Sequence, residues 1–198
     1  MAAADVTGGR AASMAARLAD TAERLGIGAP GRALIARAFD TAMQPRLRAG
    51  LDEHHPDYLH PARTAIILMD DAEVADAAVL AAALITETRD PALRPGPHAA
   101  AGLPDDVRAL AAAVPDPSKH GRVLERLVVA DATVRLVALA ERLDHARHLH
   151  LRDPGEWRGY HDLTCAAYAP AAARTHPVLD RRLAWWCRTF RKRFPGAP

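Results

Sequence analysis

"AAVLAAALITETRD", residues 77–90, decides how this chain is read. From Ala77 to Ile85 every residue is apolar, so a helix here has no wet face and must be buried all round. It is too short to span a bilayer, which takes about 20 apolar residues. The run then ends on Thr86, Glu87, Thr88, Arg89 and Asp90. Polar and charged groups cost free energy to bury unless they are paired, so at the end of a core helix they mark a cap or a functional site. The spacing predicts a central helix over about residues 72–88.

The rest of the chain supports a helical fold. Ala, Leu and Arg dominate, β-branched and aromatic residues are sparse, and no alternating apolar run exceeds a few residues, which predicts an all-α protein. Only Lys119 and Lys192 are lysines among the 26 basic residues; with the abundant Ala, this fits a GC-rich bacterial genome. Net charge is +2, so nothing global calls for nucleic acid or a membrane, and any anion site must be local. Two cysteines, Cys165 and Cys187, provide neither a disulfide framework nor a four-cysteine zinc site. With no signal peptide and no long apolar run, the expected location is the cytoplasm.

Residues 1–9 are expected to be disordered, and residues 10–198 to form one helical domain. Periodicity predicts helices over about 10–25, 32–43, 104–114, 119–130, 132–150, 155–173 and 177–194, and another opening at His60-Pro61. "GIGAPG", residues 26–31, fits a dinucleotide-binding pattern by letters but follows a helix rather than a strand. Residues 90–104 read as a Pro- and Gly-rich surface loop. On the long helix, Leu136, Leu139, Leu143 and Ala146 form a core stripe. A second stripe, Glu141, Asp144, His145 and His148, has the same helical spacing and is polar throughout. In "RRLAWWCRTFRKRF", residues 181–194, a closing helix that buries its aromatics while arginine stems reach outward explains the pattern better than nucleic-acid binding does.

Imidazole and carboxylate groups at His60, Glu87 and Glu141 are a ligand set for a divalent ion such as Mn²⁺, Mg²⁺ or Zn²⁺. "YLHPARTAIIL" (58–68), "VLAAALITETRD" (79–90), "LVALAERLDHARHL" (136–149) and "PGEW" (154–157) resemble, in order and separation, the HD-domain hydrolases of the RelA/SpoT kind. They are most similar to the small alarmone hydrolases, which remove pyrophosphate from guanosine tetra- or pentaphosphate with Mn²⁺. The resemblance covers roughly residues 32–195 and implies a compact HD-domain helical bundle. His60 stands where that family has its first metal-binding His. The His-Asp pair reads Thr86-Glu87, the water-positioning Glu-Asp pair reads Asp90-Pro91, and the last metal-binding Asp is represented by Glu141. Ala138 replaces a family Lys, His145 replaces a substrate-binding Asn, and Arg147 is kept.

The resemblance therefore implies metal ligands at His60, Glu87 and Glu141, with His145 as a substitute donor, and Asp90 as the group that orients water. It also implies substrate contacts at His145 and Arg147; the polar stripe adds His148 as a candidate contact, and Arg46 and Arg48, in the loop before His60, are candidate partners for phosphate because guanidinium forks suit it. Thr86 is expected to pack or to support the site. The partner is a phosphorylated nucleotide resembling guanosine tetraphosphate. The competing expectation is a catalytically inactive relative that binds a nucleotide or a protein. The enzymatic reading requires His60, Glu87 and Glu141 to converge on one point with Arg89 clear of it.

Overall fold

A computed structural model describes residues 9–117 and 120–194, and among these the chain is all helical, with no strand. The helices are α1 (Gly9–Arg24), α2 (Ala29–Arg48), α3 (His60–Ala72), α4 (Ala77–Ile85), α5 (Pro97–Ala100), α6 (Asp105–Ala113), α7 (His120–Val129), α8 (Ala132–His148), α9 (Pro154–Leu163), α10 (Ala169–Ala173) and α11 (Pro177–Arg193). None is long and apolar enough to cross a membrane. The expected disorder of residues 1–9 falls outside the described residues, except that Gly9 opens α1.

The apolar run lies at the centre of the fold: α4 packs against α2, α3, α6 and α8, and its residues from Leu80 to Leu84 have no solvent exposure. It is shorter than residues 72–88 at both ends. Glu73 adopts the left-handed conformation at φ 51° and closes α3, and the Asp76 carboxylate accepts the N–H groups of Ala78 and Val79 to open α4. At the other end Thr86 is already extended. Its hydroxyl donates to the Ala82 carbonyl at 2.8 Å, closing the helix end.

In the opposite sense, α2 is longer than residues 32–43. Pro30 sits in its first turn, where a missing N–H costs nothing. Pro45 falls in the last turn, where only one intrahelical bond can be lost before the helix ends. Arg46 and Arg48 are therefore helical, not loop residues. A single turn of π-helix, Thr164–Tyr168, joins α9 to α10 just before Pro170; the widened turn accommodates a residue that cannot donate to the preceding turn. The loop at 90–104 contains a 3₁₀ turn, Pro91–Leu93, and α5. The glycines of "GIGAPG" join two helices.

Because α4 carries the chain into residues 86–90, its packing also positions the site. Leu84→Ala, at a fully buried position, should lower unfolding free energy in urea by about 2–5 kcal/mol.

Candidate metal centre

Four side chains from three parts of the chain converge. His60 opens α3, Glu87 lies two residues past the end of α4, and Glu141 and His145 lie one turn apart on α8. All four are buried, and each offers a ligand atom within 4.8 Å of the others. Ligands held at about 2.1 Å by a single ion in tetrahedral geometry stand about 3.4 Å apart, so the quartet would draw inward to close on one cation. Arg89 stays clear of this point, because its Nη2 is paired with Glu156.

The imidazoles are oriented as ligands need to be. Asp144 Oδ2 accepts the Nδ1–H of His60 at 2.8 Å, which orients the ring and leaves Nε2 as the atom offered for a ligand role. Asp144 is itself held by Arg63, whose Nε donates to Oδ1 at 2.8 Å and whose Nη2 donates to Oδ2 at 2.9 Å. Burial alone would raise the Asp144 carboxyl, but the His60 N–H and the Arg63 fork hold it well below the usual carboxylate range. The His145 ring stacks on His60 with centroids 4.0 Å apart. Nε2 of His60 and Nε2 of His145 are buried and without a hydrogen-bond partner. Buried unpaired polar atoms cost about 1–3 kcal/mol each, so two of them facing two carboxylates fit a cation that the donor set can bind.

The carboxylates are held as firmly. Glu87 Oε2 accepts Arg46 Nη2 at 2.6 Å, both side chains being 1% exposed. Its Oε1 accepts the backbone N–H groups of Arg89 and Asp90 at 3.1 and 3.2 Å. Glu141 Oε1 accepts the Thr88 N–H at 3.1 Å and also its hydroxyl. His145 Nε2 stands 3.3 Å from Glu141 Oε1 and 3.6 Å from Glu87 Oε1, close enough for strong attraction but not aligned as hydrogen bonds. Burial opposes the protonated imidazole, yet these two carboxylates outweigh it and push His145 up to about 9. Burial likewise opposes the charged Glu87 and Glu141, and the neighbouring cationic groups outweigh it, so both are lowered.

The other expected site residues are distributed more widely. Asp90 borders a cavity of about 500 Å³ that His145 also lines, and its Oδ1 accepts the Ala92 N–H at 2.9 Å. Thr86 serves α4 through Ala82. Arg46 is not a substrate-binding residue: it has no solvent face, and its guanidinium donates to Glu87 and to the carbonyls of Ala42, Asp57 and Leu93. Arg147 also lies away from the site, 3.5 Å from Asp71, in a groove it shares with Arg182 and Trp185 of α11. Arg48 ends α2 exposed to solvent. His148 is partly buried, with its Nδ1 bonded to the Asp144 carbonyl at 2.8 Å. Sequence reasoning missed the supporting residues Arg63, Thr88 and Asp57, and the anchoring part of Arg46. The HPxR spacing of His60 and Arg63 was the one available signal.

Two predictions follow from the buried charges. Arg46→Met removes the guanidinium from Glu87 Oε2 and leaves that oxygen buried without its donor, and should cost about 3 kcal/mol in denaturant unfolding, with much of that recovered in Arg46→Met/Glu87→Met. In the presence of a chelator, stability should also depend on pH from both sides. The stabilisation from His145, whose ordinary value is 6.5 and folded value about 9, is complete below pH 6.5 and lost as pH rises through 9. That from Glu87 and Glu141 is present above their ordinary 4.5 and lost as pH falls. Melting temperature measured against pH should therefore peak between 4.5 and 6.5 and decline on the alkaline side less steeply in His145→Gln.

No protein-family model matches this chain, and no curated protein matches it. The chemistry of the quartet therefore rests on its own geometry.

Proposed function

We propose that the chain is a metal-dependent phosphohydrolase of the HD kind, acting on a phosphorylated nucleotide such as guanosine tetraphosphate. The observation that carries this reading is the pair of buried imidazole nitrogens, Nε2 of His60 and of His145, that have no hydrogen-bond partner and stand among two carboxylates; an ion would take the place of the His145 proton. Two nitrogen and two carboxylate donors suit Mn²⁺, Zn²⁺ or Fe²⁺, and the similarity to alarmone hydrolases favours Mn²⁺.

His60, Glu87, Glu141 and His145 would hold the ion. When bound, it would lower the pKa of a water and neutralise charge on the phosphoryl group. Asp90, at the border of the adjoining cavity, would take the proton of the attacking water with the oxygen not engaged by Ala92. The water oxygen would form the new bond to phosphorus as the bond from phosphorus to the nucleoside oxygen breaks, and that oxygen would take a proton from solvent, releasing pyrophosphate and the nucleotide hydroxyl. Arg89, Arg142 and Arg152 line the same cavity, and guanidinium forks match phosphate oxygens.

A second reading has its own observation. Glu87, Asp144 and Asp57 each already face a guanidinium, from Arg46, Arg63 and Arg152 respectively, so much of the buried charge is balanced within the protein. That pattern favours a non-catalytic relative that keeps the fold as a nucleotide- or protein-binding module.

Mn²⁺ titration followed by pyrophosphate release from guanosine tetraphosphate separates the two. The enzymatic reading expects one ion per chain, its loss in Glu87→Ala, and turnover that falls about 100-fold or more in Asp90→Asn while the ion is retained. Binding of the ion without turnover across a panel of nucleoside polyphosphates would favour the module; no ion at saturating Mn²⁺ would overturn the hydrolase.

A further inference from the structure

Arg142 is the most deeply buried cation without an acidic partner among the described residues. It is 2% exposed, and no carboxylate of the described residues lies within ion-pairing distance of it, whereas buried Arg46 has Glu87. Its Nε donates to Thr164 Oγ1 at 2.8 Å and its Nη2 to the Tyr160 carbonyl at 2.7 Å. Among the described residues its Nη1 has no hydrogen-bond partner. The guanidinium lies 3.3 Å from the centre of the Tyr160 ring and 4.7 Å from that of Tyr168. The Tyr160 hydroxyl returns to the Arg142 carbonyl at 3.0 Å. The π-helical turn contributes the Thr164 and Tyr168 contacts. The group is thus clamped in orientation but not neutralised, although an unpaired charge is expensive to bury.

Arg142 also lines the 500 Å³ cavity, together with Arg89, Arg152, Asp90 and His145. It follows Glu141 directly, and His145 lies three residues on, one helical turn away on the same side of α8. Arg89 and Arg152 engage Glu156 and Asp57 through one nitrogen each. Three guanidiniums therefore border the cavity against the carboxylates of Asp90 and Glu156. We infer that Arg142 is the anchor of a phosphate-binding subsite beside the metal centre, with its free Nη1 as donor and Arg89 and Arg152 as further donors.

The hydrolase reading supplies the identity of the anion as a phosphoryl group of the substrate. The subsite itself rests on Arg142 with Arg89 and Arg152 beside it and does not need the metal. It is tested in protein stripped with a chelator, titrated calorimetrically with inorganic pyrophosphate. Wild type should bind saturably. Arg142→Lys keeps the charge but lacks the fork and the ring stacking, and should weaken binding about tenfold or more. Arg89→Ala should weaken it several-fold, and Arg182→Ala, on the far surface beside Asp71, should leave it unchanged. Circular dichroism checks the fold of each variant, and if Arg142→Lys does not fold, wild type and Arg89→Ala decide. Absence of pyrophosphate binding by the wild type, or equal affinity in folded Arg142→Lys, overturns the subsite. Pyrophosphate binding without Mn²⁺ binding would retain the subsite and sink the hydrolase; the converse would do the opposite.

Discussion

Glu87 leaves the dry end of α4 with its carboxylate against the guanidinium of Arg46, and neither group reaches water. A charge in that position needs partners that are fixed, and Arg46 is fixed by three backbone carbonyls from three separate segments. The pair therefore ties the end of α2, the loop before α3, the residues after α4 and the 3₁₀ turn beyond them into one unit. It also sets where Glu87 Oε1 stands, and so where the centre of the quartet lies.

The remaining ligands are held by the same means. His60 is oriented by Asp144, which is held by Arg63; Glu141 is held by Thr88. Glu87, His60 and Glu141 are each positioned by a residue from a different helix or loop, and His145 by stacking on the His60 ring, which is the arrangement that keeps a metal site preorganised. The cost is a core that contains many charges. The fold tolerates it because the fully buried side-chain polar atoms of the described residues are paired, apart from two imidazole nitrogens inside the quartet. Helix α8 carries both requirements at once: Leu139, Leu143 and Ala146 pack while Glu141, Asp144 and His145 build the site, and all six are buried.

The all-helical fold was legible because one apolar run and several amphipathic stripes admit no other period. His60, Glu87, Glu141 and His145 were legible as residue types at helix ends and on a polar stripe. What could not be read was which partner each polar group would find. Arg46 reads as a loop residue when the helix is ended at Met43, whereas α2 runs on through Pro45, a proline in a final turn that breaks only one bond. The ends of α4 were misjudged because Glu73 in the left-handed region and the Asp76 cap are decided by tertiary packing, not by hydropathy. Arg142 was passed over among many arginines, and only its burial without a carboxylate sets it apart.

The central claim is that two imidazoles and two carboxylates share one cation. Electron–nuclear double resonance on Mn²⁺-loaded protein tests it most directly. The account predicts nitrogen couplings from two histidines, one of which is lost in His60→Gln and the other in His145→Gln. A Mn²⁺ signal without nitrogen coupling, or couplings that persist in both variants, would contradict it.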